Sequence, residues 1–156
     1  VSDAPPIDPL GVLEVLARHR VRFVLIGGVA ANIHGYPLPT EGVDITPETS
    51  TTNQRRVAAA LDEMNADDGV ANDPNVVGDP HLTTDLGNLD IVTEPAGTRG
   101  YADLRRDASD VQLGRDLTVS VASLPDIIRS KEAAGRAKDH AALPALRATL
   151  DRITGR

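Results

Sequence analysis

The chain has 156 residues, which is room for one domain with a modest core. With 40% hydrophobic and 25% charged residues it is too apolar for a disordered chain and too polar for a membrane-spanning one. The lack of cysteine excludes a disulfide scaffold, a thiolate metal site and a cysteine nucleophile; Phe23, Tyr36 and Tyr101 are the only aromatics, and the net charge is −7, which argues against base-stacking platforms and against a surface that coats nucleic acid.

Three prolines among residues 5–9 block a helix, so residues 1–9 are expected to be an extended, mobile lead-in. Leu10, Leu13, Leu16 and Ala17 then recur on one helical face that runs into Arg18, His19 and Arg20. Residues 22–26 form a β-rich run closed by Gly27 and Gly28, and residues 29–34 predict a short helix stopped by Gly35 and Pro37. A second strand is expected at 43–45, followed by Thr49, Ser50, Thr51 and Thr52 as candidate N-caps of a helix over about 53–64. Residues 65–80 read as loop, with a short strand at Val76 and Val77. A strand at 89–92, a short helix at 102–106 and a strand at 117–121 come next. Ser123 or Pro125 opens a helix through Ala134, Gly135 breaks it, and a last helix covers 139–153, with a start after Pro144 as the alternative. Strands alternating with helices predict an α/β or α+β domain of four or five strands.

A carboxylate stands twice in the same apolar frame, Val43-Asp44-Ile45 and Leu89-Asp90-Ile91. Side chains alternate across a strand, so if the aliphatics face the core, both carboxylates face one common surface, a hard-oxygen site for Mg²⁺. Gly27 and Gly28 lie at a strand-to-helix junction, where they either make a tight turn or let a phosphate approach the backbone. Lys131 follows Ile127 by four and Ile128 by three, on the face those residues would bury; it is either paired there or snorkels to water. Residues 1–125 carry nine basic and nineteen acidic side chains, and 126–156 carry seven and four, so an acidic body ends in a basic element. His19, His34, His81 and His140 show no metal-ligand spacing and read as incidental.

Taken in order, five segments resemble the nucleotidyltransferase superfamily with the polymerase beta-like fold, and within it the AbiEii and MenT-type toxins. They are FVLIGGVAANIHG at 23–35, PTEGVDI at 39–45, GNLDI at 87–91, SLPDIIRSK at 123–131 and GRAKD at 135–139. The resemblance implies an α+β (α/β sandwich) nucleotidyltransferase fold, a small mixed sheet flanked by helices. After the lead-in, residues 10–122 would form its core and 123–156 a helical C-terminal element of the same domain. It further implies a cytoplasmic, Mg²⁺-dependent transferase that moves a nucleoside monophosphate from a nucleoside triphosphate to an acceptor hydroxyl. The acceptor would be the 3′ end of tRNA, and the partner a cognate antitoxin. Asp44 and Asp90 would be the metal ligands and, with Lys131 and Asp139, the catalytic set; Gly27, Gly28, Thr40, Lys131 and Arg136 would bind the nucleotide. Thr40 also reads as a turn residue after Pro39.

The family pattern is Asp-x-Asp, and here its first position is Gly42. Two carboxylates remain where the family uses three, which should weaken metal binding and catalysis. The alternatives are therefore a non-catalytic homologue that binds a nucleotide or a protein, and a transferase acting on small molecules of the antibiotic type.

Overall fold

The computed structural model of the chain describes residues 6–67 and 80–155. Helix α1 (Pro9–Arg18) begins one residue before the apolar periodicity, because Asp8 caps it by accepting from the Gly11 N–H at 3.0 Å. The Asp8 N–H in turn donates to the Leu86 carbonyl at 2.9 Å, which ties the end of the lead-in to the body. Strand β1 (Phe23–Ile26) passes directly into α2 (Gly27–Ile33), so the two glycines are the first turn of the helix. Next come β2 (Gly42–Pro47) and α3 (Thr51–Glu63), the latter capped by the Ser50 side chain. Buried Asn53 clamps this corner: its side chain accepts from the Arg22 N–H and donates to the Arg22 and Glu48 carbonyls at 2.7–2.9 Å.

The rest of the chain adds β3 (His81–Thr84), β4 (Gly87–Ile91), α4 (Tyr101–Asp107), β5 (Ser109–Gln112), β6 (Thr118–Val121), α5 (Leu124–Ala134) and α6 (Ala137–Thr154). The six strands form one mixed sheet in the order β3-β4-β2-β1-β6-β5. β2 and β4 run parallel, as do β1 and β6, and the other neighbours are antiparallel. α1 packs on α3, while α2 contacts α5, which pairs with α6. The core is almost wholly aliphatic, with Leu13, Leu16, Leu25, Val43, Ile45, Leu89 and Leu146 shielded from water. Each such side chain contributes about 1.5–3 kcal/mol by leaving water. Among the described residues no helix is long and apolar enough to cross a membrane.

Among the described residues there are six strands, where four or five were expected. The additional ones, β3 and β5, are four-residue edge strands of sequence HLTT and SDVQ, too polar to signal themselves locally. Each exists because it zips antiparallel onto the strand that follows it, a case of tertiary pairing overriding intrinsic preference. The strand anticipated at Val76 and Val77 lies outside the described residues. α6 does not start after Pro144 but runs through it from Ala137, held against the body by buried Leu143, Leu146 and Thr149. That burial outweighs the backbone hydrogen bond the proline removes.

Candidate functional site

Alternation along β2 and β4 sorts their residues between two faces. Val43, Ile45, Leu89 and Ile91 enter the core, while Gly42, Asp44, Asn88 and Asp90 face the other way and line a cleft of about 480 Å³. The parallel register sets Gly42 opposite Asn88 and Asp44 opposite Asp90. The two carboxyls therefore meet side by side and share a hydrogen bond. Burial, then the hydrogen bond and charge of Asp90, push the Asp44 carboxyl up to about 7, although Lys131 and Lys138 pull in the opposite direction.

The glycine pair sits against this carboxylate. A Cβ on Gly27, whose φ is +70°, would lie 2.8 Å from Asp44 Cγ, and a Cβ on Gly28 would lie 2.5 Å from Thr40 Oγ1. Glycine is thus required at both positions by what packs onto them. Thr40 in turn donates to the Gly42 carbonyl at 3.0 Å, bracing the start of β2 at the edge of the cleft.

The cations come from the C-terminal helices. Ser123 caps α5, and Gly135 ends it in the left-handed conformation, turning the chain into α6. Lys131 is 29% exposed and lines the same cleft as Asp44 and Asp90. Its amine lies 3.3 Å from Asp139 Oδ1, and the Asp139 side chain is 0% exposed. Asp139 also accepts from Arg136 Nε at 2.7 Å, Arg136 Nη2 at 3.2 Å and the Arg136 N–H at 3.1 Å. Burial alone would raise its pKa, but the bonds from Arg136 and Lys131 outweigh that and bring it down to about 2. Asp139 and Arg136 line a second cavity of about 350 Å³ rather than the first. The two cavities share Gly27, Asp44, His81, Asp90, Ile127, Lys131 and Lys138.

Every candidate residue read from the sequence thus borders one or both cavities, on five elements and the connecting segments at Thr40 and Arg136. Two residues at the site escaped that reading. His81, on the edge strand opposite Asp90, places Nδ1 2.6 Å from Asp90 Oδ1. Asn88 lines the cleft beside Gly42. Recognition of the β3–β4 hairpin would have exposed His81, which stands in no motif, whereas Asn88 lies in the GNLDI segment two residues before Asp90, where strand alternation puts it on the same face. His34 is a structural residue, its Nε2 bonded to the Ala122 carbonyl at 2.7 Å.

Among the described residues no three His, Asp or Glu side chains converge closely enough to hold a metal ion unaided. The donor set nevertheless suits Mg²⁺ arriving with a phosphate ligand, since Mg²⁺ is commonly held by one or two carboxylates plus substrate phosphates. A half-buried carboxyl such as Asp44, whose charge is disfavoured by burial and by its neighbour, is a place where a cation is favoured.

No protein-family model matches the chain, and no curated protein matches its sequence. Its fold matches a solved structure of the lincosamide antibiotic adenylyltransferase LnuA in its lincomycin-bound form. The TM-score is 0.63 at 14% identity, covering 93% of this chain and 99% of that one. The chain has the nucleotidyltransferase fold, a six-stranded mixed sheet flanked by helices.

Proposed function

We propose that this chain is a nucleotidyltransferase, moving a nucleoside monophosphate from a nucleoside triphosphate to an acceptor hydroxyl at a rate held down by Gly42. The observation that carries this reading is the in-register pair of Asp44 and Asp90, facing a cleft that Gly27, Gly28, Thr40 and Lys131 also line.

Asp44 and Asp90 are the residues that would hold Mg²⁺, which when bound supplies Lewis-acid polarisation of the phosphoryl oxygens. The chain's own contributions are positional and electrostatic. The bare backbone of Gly27 and Gly28 leaves room for the triphosphate, and the Lys131 amine, oriented by buried Asp139, offsets its charge. Arg136 is fixed by the same carboxylate and adds positive potential, as does Lys138. The acceptor oxygen forms a bond to the α-phosphorus while the bond to the bridging oxygen breaks. Pyrophosphate leaves, and the hydroxyl proton passes to Asp90.

For the acceptor, the sequence resemblance favours the 3′ end of tRNA, with a cognate antitoxin as regulator, and Lys131, Arg136 and Lys138 supply phosphate-binding charge. A small hydroxylated molecule is the second reading. It is favoured by the adjoining cavity, which shares Asp44 and Asp90 with the first and is walled also by Val92, Pro95, Ala96 and Leu104, and by the fold match to LnuA, a lincosamide antibiotic adenylyltransferase. Incubation with each α-labelled nucleoside triphosphate, Mg²⁺, and either total tRNA or a panel of small hydroxylated antibiotics tests both. Label should move to one acceptor class and not in Asp44→Asn. Nucleotide binding with no transfer to any acceptor would leave a binding protein in place of an enzyme.

A further inference from the structure

Position 42 governs how many cations the site can hold. Residues two apart on a strand share a face, so a third carboxylate entering the cleft from β2 would have to stand at 42, beside Asp44. The strands leave little space for it, and a side chain there would have to push the facing strand aside. A Cβ on Gly42 would lie 2.9 Å from the Asn88 carbonyl oxygen and 3.1 Å from the Asn88 Cβ. A backbone carbonyl within a paired strand cannot swing aside as the end of a flexible side chain can. The neighbouring group on that face is the Asn88 amide, which is neutral.

The other end of the carboxylate row is also engaged. His81 occupies one Asp90 oxygen at 2.6 Å from the adjoining edge strand. Two divalent ions in a two-metal site stand about 3.5–4 Å apart and need bridging anions to offset their repulsion. What faces the cleft is the Asp44 carboxyl and the remaining Asp90 oxygen, with Lys131 and Lys138 already beside them. One ion completed by phosphate oxygens suits that set, and two do not.

We propose that the site takes a single divalent cation per chain, bound jointly by Asp44, Asp90 and the nucleotide. The close approach of β2 to β4 at Gly42 excludes the second. This inference rests on the nucleotide-binding reading above and departs from the two-ion arrangement that a third carboxylate would support.

Mn²⁺ serves as the probe, counted by the loss of the free-ion electron paramagnetic resonance signal at saturating non-hydrolysable α,β-methylene analogues of the four nucleoside triphosphates. Bound nucleotide is measured separately by equilibrium dialysis. The expected result is one Mn²⁺ per chain and per bound nucleotide, with at least a ~10-fold loss of Mn²⁺ affinity in Asp44→Asn. Gly42→Ala and Gly42→Asp should both lower the Tm by several degrees, and Gly42→Asp should add no second ion. Two Mn²⁺ per chain with nucleotide bound would overturn the single-ion site and leave the transferase reading standing. So would a Gly42→Asp protein of unchanged Tm that binds two, since the strand spacing would then exclude nothing. Absence of nucleotide binding in the dialysis would overturn both readings together.

Discussion

Asp44 and Asp139 are both carboxylates withdrawn from water beside lysines, and they behave in opposite ways. Asp44 faces a second carboxyl, and burial together with Asp90 raises it to about 7. Asp139 is shielded from water on every side, yet Arg136 and Lys131 surround it with donors and bring it down to about 2. The difference separates a structural charge from a functional one. A carboxylate whose lone pairs are filled by the protein holds the fold together, whereas one placed against its own kind is destabilised until something positive arrives. Lys131 joins the two regions, because the residue that fixes its amine lies in the first turn of α6 while the cleft it borders is floored by the sheet.

The largest way to break this contrast is Asp44→Asn. Transfer activity should fall by about 100-fold or more, since a direct ligand is worth at least what an outer-shell partner is. The Tm without metal should hold or rise, because the substitution removes one of two repelling carboxyls. A fall in Tm of several degrees would make Asp44 a structural residue.

Asp139→Asn should do the reverse, costing about 2 kcal/mol of stability in urea titrations at pH 7. The sign follows from the depressed pKa. The contribution of Asp139 is complete above its unfolded value of 3.8 and is lost as the pH falls toward about 2. Stability of the natural chain should therefore drop between pH 4 and pH 2, and this component of the slope should vanish in Asp139→Asn. A parallel acid limb in both proteins would contradict the buried ion cluster.

His81→Ala sharpens the comparison with the smallest effect. The ring is 86% exposed, so stability should move by no more than ~0.5 kcal/mol. Its bond to Asp90 should still matter to the ion, and Mn²⁺ affinity should change by up to ~10-fold. Unchanged Mn²⁺ affinity would reduce the contact to a surface ion pair.

The apolar frames around Asp44 and Asp90 were legible because strand alternation is local, and Lys131 because helical spacing is. The caps Ser50 and Ser123 and the terminator Gly135 were legible for the same reason. Register was not. That Asp44 stands opposite Asp90 depends on β2 and β4 being neighbours although α3 and β3 separate them in the chain. His81 was invisible for a related reason, since it reaches the site only through the pairing of a polar edge strand, whereas Asn88 shares the Asp90 face by alternation and only its place beside Gly42 needed the β2–β4 register. The sequence located the departure at Gly42, but its consequence needed the distance to the Asn88 carbonyl.

The central claim is that the Asp44–Asp90 pair is a cation-dependent nucleotide site. Thermal unfolding with and without Mg²⁺ and each nucleoside triphosphate, in the natural chain and in Asp44→Asn, tests it most directly. The account predicts a rise in Tm that needs metal and nucleotide together and is lost in Asp44→Asn. No rise with any nucleotide, or an equal rise in both proteins, would contradict it.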